Sequence, residues 1–561
     1  MATTAQGAFT FVLHSHLPYA RQAGRWPHGE EWIHEAASET YVPLLMALHD
    51  LADEGVLYKL TIGITPVLAE QLADPLILGH FDHFLVDKIE RAEADQKRFR
   101  DQNDPRLPLA GFYRDFYGRV RDAFQNRFQR DLIGAFRVLQ DAGRIEIATS
   151  AATHGYLPLL SRDSSIYGQL RIGVDAYKRH FGRQPRAIWL PECAYRPAYQ
   201  PDEGGPVRPG LEDFLAGLGL EVFFAETHTI EGGRPVGKAA GDAIGPYGNV
   251  VRRYVIPVSA QAQPTERTTH QAYWVTTPQV AVIGRNNRTG LQVWSAEHGY
   301  PGTFDYREFH KKDGVSGLQY WRVTGARVDL ADKDYYHPEW AEYRIREQAE
   351  HFCTLVENET AGYHARSGKF GIIAAAYDTE LFGHWWFEGI EWIKQVLRLL
   401  SRSTIVELTT ASEYVRTHPP EEVLALPESS WGAGGYHFTW LNVDTEWMWP
   451  IIHRAERDME ELVARVTETQ GPRRLLLDQA ARELVLLESS DWPFLVTTGQ
   501  AREYAEQRFL GHVERFEACR DALVNGRDGA AAAELAEELF ERDNLFPTVD
   551  PRVFAARQGR A

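Results

Sequence analysis

Seven short apolar runs, each stopping at a polar group, constrain this chain more than any other feature of its sequence. They are Phe9–Leu13 before His14, Leu57–Ile62 before Gly63-Ile-Thr-Pro66, and Ile145–Ala148 before Ala152-Thr-His-Gly155. Next come Ala187–Leu190 before Pro191-Glu192, Val222–Phe224 before Glu226-Thr-His228, Val280–Ile283 before Arg285, and Ile372–Ala376 before Asp378. Apolar runs of about four to six residues, bounded in this way, read as buried parallel strands. Helical patterns lie between them. In Thr40–Ala52, Thr40 is the expected N-cap with Pro43 in the opening turn, and Asp131–Ala142 closes on Gly143 as C-cap. Strands alternating with helices, each strand ending in a polar group, predict an α/β fold built on a β/α barrel, with its site on the loops at the C-terminal face. An eighth run, Thr404–Leu408, leads into a capping box at Thr410-Ala-Ser-Glu413 and reads as the barrel's last, irregular element.

Two insertions and a tail complete the organisation. Residues 85–130 are charged and aromatic, and predict a small helical insertion. Residues 229–250 hold six glycines and little apolar content, the composition of a functional or disordered loop. After about residue 415 the pattern is nearly all helical (Val443–Glu468, Arg473–Ser489, Gln500–Asn525), with a break at Asp491-Trp-Pro493. The expected division is a barrel over 1–414 and a helical domain over 415–561.

The formal charge of −18 argues against nucleic acid or an anionic membrane surface as partner. Three scattered cysteines exclude a disulfide framework and a cysteine-rich zinc module. The N-terminal MATTAQGAFTFVLHSH lacks the basic region of a secretory leader, and no stretch reaches membrane-spanning length. The expectation is a cytoplasmic protein, a monomer being favoured over an assembly.

Two strand ends carry a single carboxylate among aromatics: Trp189-Leu-Pro-Glu192-Cys-Ala-Tyr195 and Tyr377-Asp378-Thr-Glu-Leu-Phe-Gly-His384-Trp385-Trp386. A carboxylate so placed costs free energy unless it is hydrogen-bonded or used. The bland alternatives are a Glu192 that caps a helix or pairs with Arg196, and an Asp378 that N-caps the helix running to Leu400. Two such groups at one barrel mouth suggest glycoside hydrolysis or transfer, one attacking the anomeric carbon and the other moving the proton. His14 and His16 alternate on the first strand, so both imidazoles face one side. They either hydrogen-bond sugar and tune the nucleophile or, with a third ligand, hold a metal. His154 is a further candidate for the barrel mouth. The Gly-rich segment Ser430–Trp440 carries Trp431 and Trp440, and Arg285–Trp294 continues through Glu297-His298 to Gly302. Tryptophans on such loops read as contact surface for sugar.

At these residues the chain resembles glycoside hydrolase family 57, and within it the α-glucan branching subgroup. The resemblance rests on His14-Ser-His-Leu-Pro18, Gly63-Ile-Thr-Pro66, Ala152-Thr-His-Gly-Tyr156, Trp189-Leu-Pro-Glu192, Tyr377–Trp386 and Ser490-Asp-Trp-Pro-Phe494, in order along nearly the whole chain. It implies a seven-stranded barrel with a helical C-terminal domain contributing to the cleft. It also implies a retaining mechanism with Glu192 as nucleophile and Asp378 as acid/base, on an α-1,4-glucan, without metal or cofactor. Arg285, Gly302, Trp431, Asp491 and Gln500 match the family's substrate-binding positions, and Trp294 and Trp440 its acceptor-side and donor-side aromatics. Branching members carry a Tyr on the glycine-rich lid, where Ala239 or a small neighbour stands here, with Tyr247 in a different register. That departure favours some hydrolysis. The rival readings are an α-glucan hydrolase or 4-α-glucanotransferase, a metal-dependent deacetylase using His14 and His16, and a glycan-binding protein without catalysis.

Overall fold

The computed structural model describes residues 5–201, 205–233, 235, 265–295, 299–325, 327–526 and 529–557. Its strands are β1 (Gly7–Ser15), β2 (Leu60–Ile64), β3 (Ile145–Ala148), β4 (Ala187–Ile188), β5 (Val222–Ala225), β6 (Ala272–Val275), β7 (Thr277–Gly284), β8 (Gly371–Asp378), β9 (Val406–Leu408) and β10 (Val423–Leu424). One sheet runs β3-β2-β1-β8 and the other β10-β6-β7-β5-β4. Parallel bridges Thr149↔Ile188 and Arg285↔Ala374 join their ends. Among the described residues, seven parallel strands (β1, β2, β3, β4, β5, β7, β8) therefore close a ring, and each of the seven apolar runs supplies one.

The alternation along two strands defines inside and outside. On β1, Phe9, Phe11 and Leu13 join one apolar cluster, with Phe11 against Phe352 and Trp392 of the covering helices, while Ala8 and Val12 join the other. On β8, Ile373, Ala375 and Tyr377 share the outward cluster, and Ile372, Ala374 and Ala376 the inward one. His14 and Asp378 continue the inward series of their strands. They are also directly paired in register.

Several expectations need correction. The eighth run forms β9, but it lies beside the first half of β1, pairing Gly7–Phe9, and is no member of the ring. Thr40 does not cap a helix: the helix starts at Glu30 and passes through a π turn, Ala37–Tyr41, before continuing as Val42–Asp53. The π turn sits immediately before Pro43, which has no N–H for an ordinary i→i−4 bond. The Asp491-Trp-Pro segment is no break but the opening of a short helix, Asp491–Thr498, with its proline in the first turn. The antiparallel strand β6 beside β7 is not among the expected strands, whereas the Ala- and Glu-rich helix Gly529–Arg542 falls within the expected helical tail. The charged insertion is a pair of helices, Pro75–Gln102 and Leu107–Asp122.

Helix Leu132–Asp141 is capped as its sequence indicates: Asp131 accepts from Gly134 N at 2.7 Å, and Gly143 follows at φ 69°. Replacing this N-cap, Asp131→Ala, is expected to lower stability by about 1 kcal/mol in chemical denaturation.

A buried network ties the insertion to the loop after β8. Arg307 donates to both oxygens of Glu39 (3.2 and 3.1 Å), His384 Nδ1 lies 3.2 Å from Glu39, and Tyr117 donates to it at 3.1 Å. Burial alone would raise the Glu39 carboxyl, but Arg307 and His384 hold it far below the usual carboxylate range.

Among the described residues, no helix is long and apolar enough to cross a membrane.

Candidate active site

The loop after β4 places Glu192 in the left-handed region (φ 62°, ψ 24°), and Cys193 follows at φ 48°. Two consecutive non-glycine residues in that region store strain, which the surroundings must hold. They do so through named bonds. Trp431 N donates to the Glu192 carbonyl at 3.0 Å, Trp431 Nε1 donates to Oε2 at 2.7 Å, and Ser490 Oγ donates to Oε1 at 3.1 Å. Burial pushes the Glu192 carboxyl up to about 7, with the Trp431 and Ser490 bonds opposing the rise.

Neither bland alternative describes the two carboxylates. Arg196 donates to Pro197 O and stacks over Tyr199. Helix Gly389–Leu400 takes Glu388, not Asp378, at its N-cap position. The Cys193 thiol, next in the chain to Glu192, is pushed up by burial and further by Glu226, Glu192 and Asp378, against Arg285.

The histidines occupy the same end of the barrel. His14 Nε2 lies 3.1 Å from His154 Nε2, and His154 Nδ1 lies 2.9 Å from Ser490 Oγ. His16 Nε2 lies 2.9 Å from Asp491 Oδ1 and its Nδ1 3.1 Å from Thr65 Oγ1. Burial holds His14 and His154 well below the ordinary imidazole value. His16 is also buried, yet Asp491 overcomes that penalty and raises it. Glu380 accepts from His16 N and from Tyr41, and burial pushes its carboxyl up to about 8.

The structure changes the expected role of several residues. His14 and His154 are each 2% exposed and present almost no surface to a sugar; His154 Nδ1 lies 3.8 Å from Glu192 Oε1. Arg285 is equally enclosed, pairing with Glu226 and donating to Ala376 O. Trp440 is fully buried, stacked on Tyr156 at 4.4 Å, so its ring is core and no sugar platform. Trp431 packs edge-on against Trp189 and directs its N–H at Glu192. Asp491 holds His16 and accepts from Ser489. Surface remains on His16, on Trp294 at the end of helix Asn287–Trp294, on Gly302 and on Gln500. Glu297, His298, Ala239, Tyr247 and most of 229–250 lie outside the described residues.

A third candidate metal-binding group stands beside His16, though not with His14. Atoms of His16, His154 and Asp491 all lie within 4.8 Å of one another. The His16 and His154 rings, however, stack 3.9 Å apart at 20°. Imidazole lone pairs lie in the ring plane, so these run side by side and do not converge as a closed ligand set requires.

Sequence reasoning missed Ser490, Glu226 and Glu380 as site members, although motifs containing all three were visible. What it lacked was the contact, since Ser490 and Glu192 stand 298 residues apart.

The chain belongs to glycosyl hydrolase family 57, whose model matches residues 10–427; the model of the 1,4-alpha-glucan branching enzyme C-terminal region matches residues 451–554. A 1,4-alpha-glucan branching enzyme of Thermococcus kodakarensis is 45% identical over 549 residues, 97% of this chain and 78% of the relative. The crystal structure of a branching enzyme of this family from the same archaeon has a TM-score of 0.89 at 43% identity, covering 99% of this chain and 97% of that one. An alpha-amylase from Thermotoga maritima has a TM-score of 0.80 at 30% identity, over 98% and 99%.

Proposed function

We propose that this protein is a 1,4-α-glucan branching enzyme working by retaining double displacement, with Glu192 as nucleophile and Asp378 as acid/base. One carboxylate oxygen of Glu192 attacks the anomeric carbon while the glycosidic oxygen leaves with the proton of Asp378. The 6-hydroxyl of an acceptor glucan then attacks the glycosyl ester, returning a proton to Asp378 and releasing Glu192. The observation that carries this reading is the setting of Glu192: a barrel-mouth carboxyl with each oxygen held by its own donor, in the same ring of strands whose β8 ends on Asp378. A preoriented nucleophile lowers the entropic cost of attack. His16, Trp294, Gly302 and Gln500 are the expected sites carrying substrate-facing surface.

Incubation with amylose, followed by proton NMR, tests the reading. New α-1,6 links are expected to exceed new reducing ends. The likeness to an alpha-amylase supports hydrolysis as the second reading, and reducing ends in excess would favour it. By resemblance Ala239 stands where branching relatives carry a tyrosine, and the smaller side chain excludes less water, so some hydrolysis is expected alongside transfer. In the same assay Ala239→Tyr is expected to raise the transfer-to-hydrolysis ratio.

A further inference from the structure

We infer that Ser490 is a positioning residue that aims its hydroxyl hydrogen at Oε1 of Glu192, and that His14 and His154 fix the direction of that hydrogen. The inference rests on the proposed role of Glu192 as nucleophile.

Ser490 Oγ lies within hydrogen-bond reach of two groups, Glu192 Oε1 and His154 Nδ1, but has one hydrogen to give. Burial keeps both imidazoles neutral, so each carries one N–H. An ionised Glu192 only accepts. The Ser490 hydrogen must then point to Glu192, and His154 Nδ1 must donate to Ser490 Oγ. His154 Nε2 is left as an acceptor for the Nε2–H of His14. The chain ends at His14 Nδ1, which is buried without a partner. As a bare lone pair this end is tolerable; in the reversed chain it would be an orphaned buried N–H, the rarer and costlier defect.

All donors therefore run one way, from His14 through His154 and Ser490 to the carboxylate, and Trp431 supplies the other oxygen. The arrangement holds Glu192 ready for attack. It also opposes reversal, because only a protonated or esterified Glu192 releases the Ser490 hydrogen to turn toward His154. Other charged and titratable groups that act on Glu192 are His16 and Asp491, and those that act on the adjacent Cys193 are Glu226, Arg285 and Asp378.

The test compares Ser490→Ala and Ser490→Thr in the full chain by the pH dependence of kcat/KM on amylose. Ser490→Ala is expected to move the acid limb upward by about one pH unit, a roughly tenfold loss below the limb that fades above it. Ser490→Thr, which keeps the hydroxyl, is expected to restore the limb, with KM unchanged in both. A uniform loss across pH, or a limb that stays in place, overturns the inference. Nitrogen-15 NMR of the unsubstituted protein gives an independent readout, with signals assigned by their loss in His14→Gln and His154→Gln. His154 is expected to be protonated on Nδ1 and His14 on Nε2; the opposite tautomers overturn the proposal even if Ser490→Ala does not fold. Glu192→Gln separates the two levels. If it retains activity, the nucleophile reading fails. If it is inactive while the limb is unmoved in Ser490→Ala, only the role of Ser490 fails.

Discussion

Glu192→Gln is expected to lower glucan transfer by at least about a thousandfold, as loss of a nucleophile does, and at the same time to make the protein more stable at pH 8. The second effect follows from linkage. Burial holds the Glu192 carboxyl at about 7 against an ordinary 4.5, so the folded state prefers the protonated form. Between those values the folded protein keeps a proton that the unfolded chain has released, and stability falls as pH rises through the window. The full penalty, on the order of 3 kcal/mol, is present above pH 7 and absent below 4.5. Melting curves are therefore expected to favour the Gln variant at pH 8, with the advantage shrinking toward pH 5. An advantage equal at both pH values would mean that something other than the buried charge separates the two proteins.

The other large effect lies outside the site. Arg307→Met leaves Glu39 buried without its guanidinium, and breaking one side of a buried pair costs about 3–5 kcal/mol. The Glu39 carboxyl is depressed in the folded state, so the pair's contribution is present above the ordinary Glu value and is lost as pH falls below it. The melting temperature of Arg307→Met is expected to drop by several degrees at pH 7. Glu39→Gln/Arg307→Met, which removes both charges, is expected to regain much of the loss. A double variant no more stable than the single one would assign the effect to packing of Arg307 on Phe387, over which it lies at 4.1 Å.

The barrel was legible because each strand is short, apolar and ends on a group that cannot be buried idly. His14, Glu192 and Asp378 announce strand ends as clearly as the apolar runs announce strands. Side-chain exposure was not legible. Trp431 and Trp440 share one Gly-rich segment and one composition, yet one donates to Glu192 and the other fills the core behind Tyr156. Nothing local distinguishes them, because the difference is made by residues far away in sequence. The same holds for Arg285, whose partner Glu226 lies on the preceding strand end and encloses it. The expected cap at Thr40 failed for a local reason: Pro43 fits a helix start equally well whether the helix begins there or has just absorbed a π turn.

Both side-chain donors to Glu192 come late in the chain, from Trp431 and Ser490, whereas the strand that carries the carboxyl is complete by Ile188. During synthesis the barrel's first strands emerge long before the groups that make this acid group useful. A nascent chain therefore carries a buried-to-be carboxylate without its two side-chain donors until its last third has emerged and docked. Full activity in this protein reports on the docking of Trp431 and Ser490 as well as on the barrel, which makes turnover a more stringent gauge of native structure than any spectroscopic measure of its barrel.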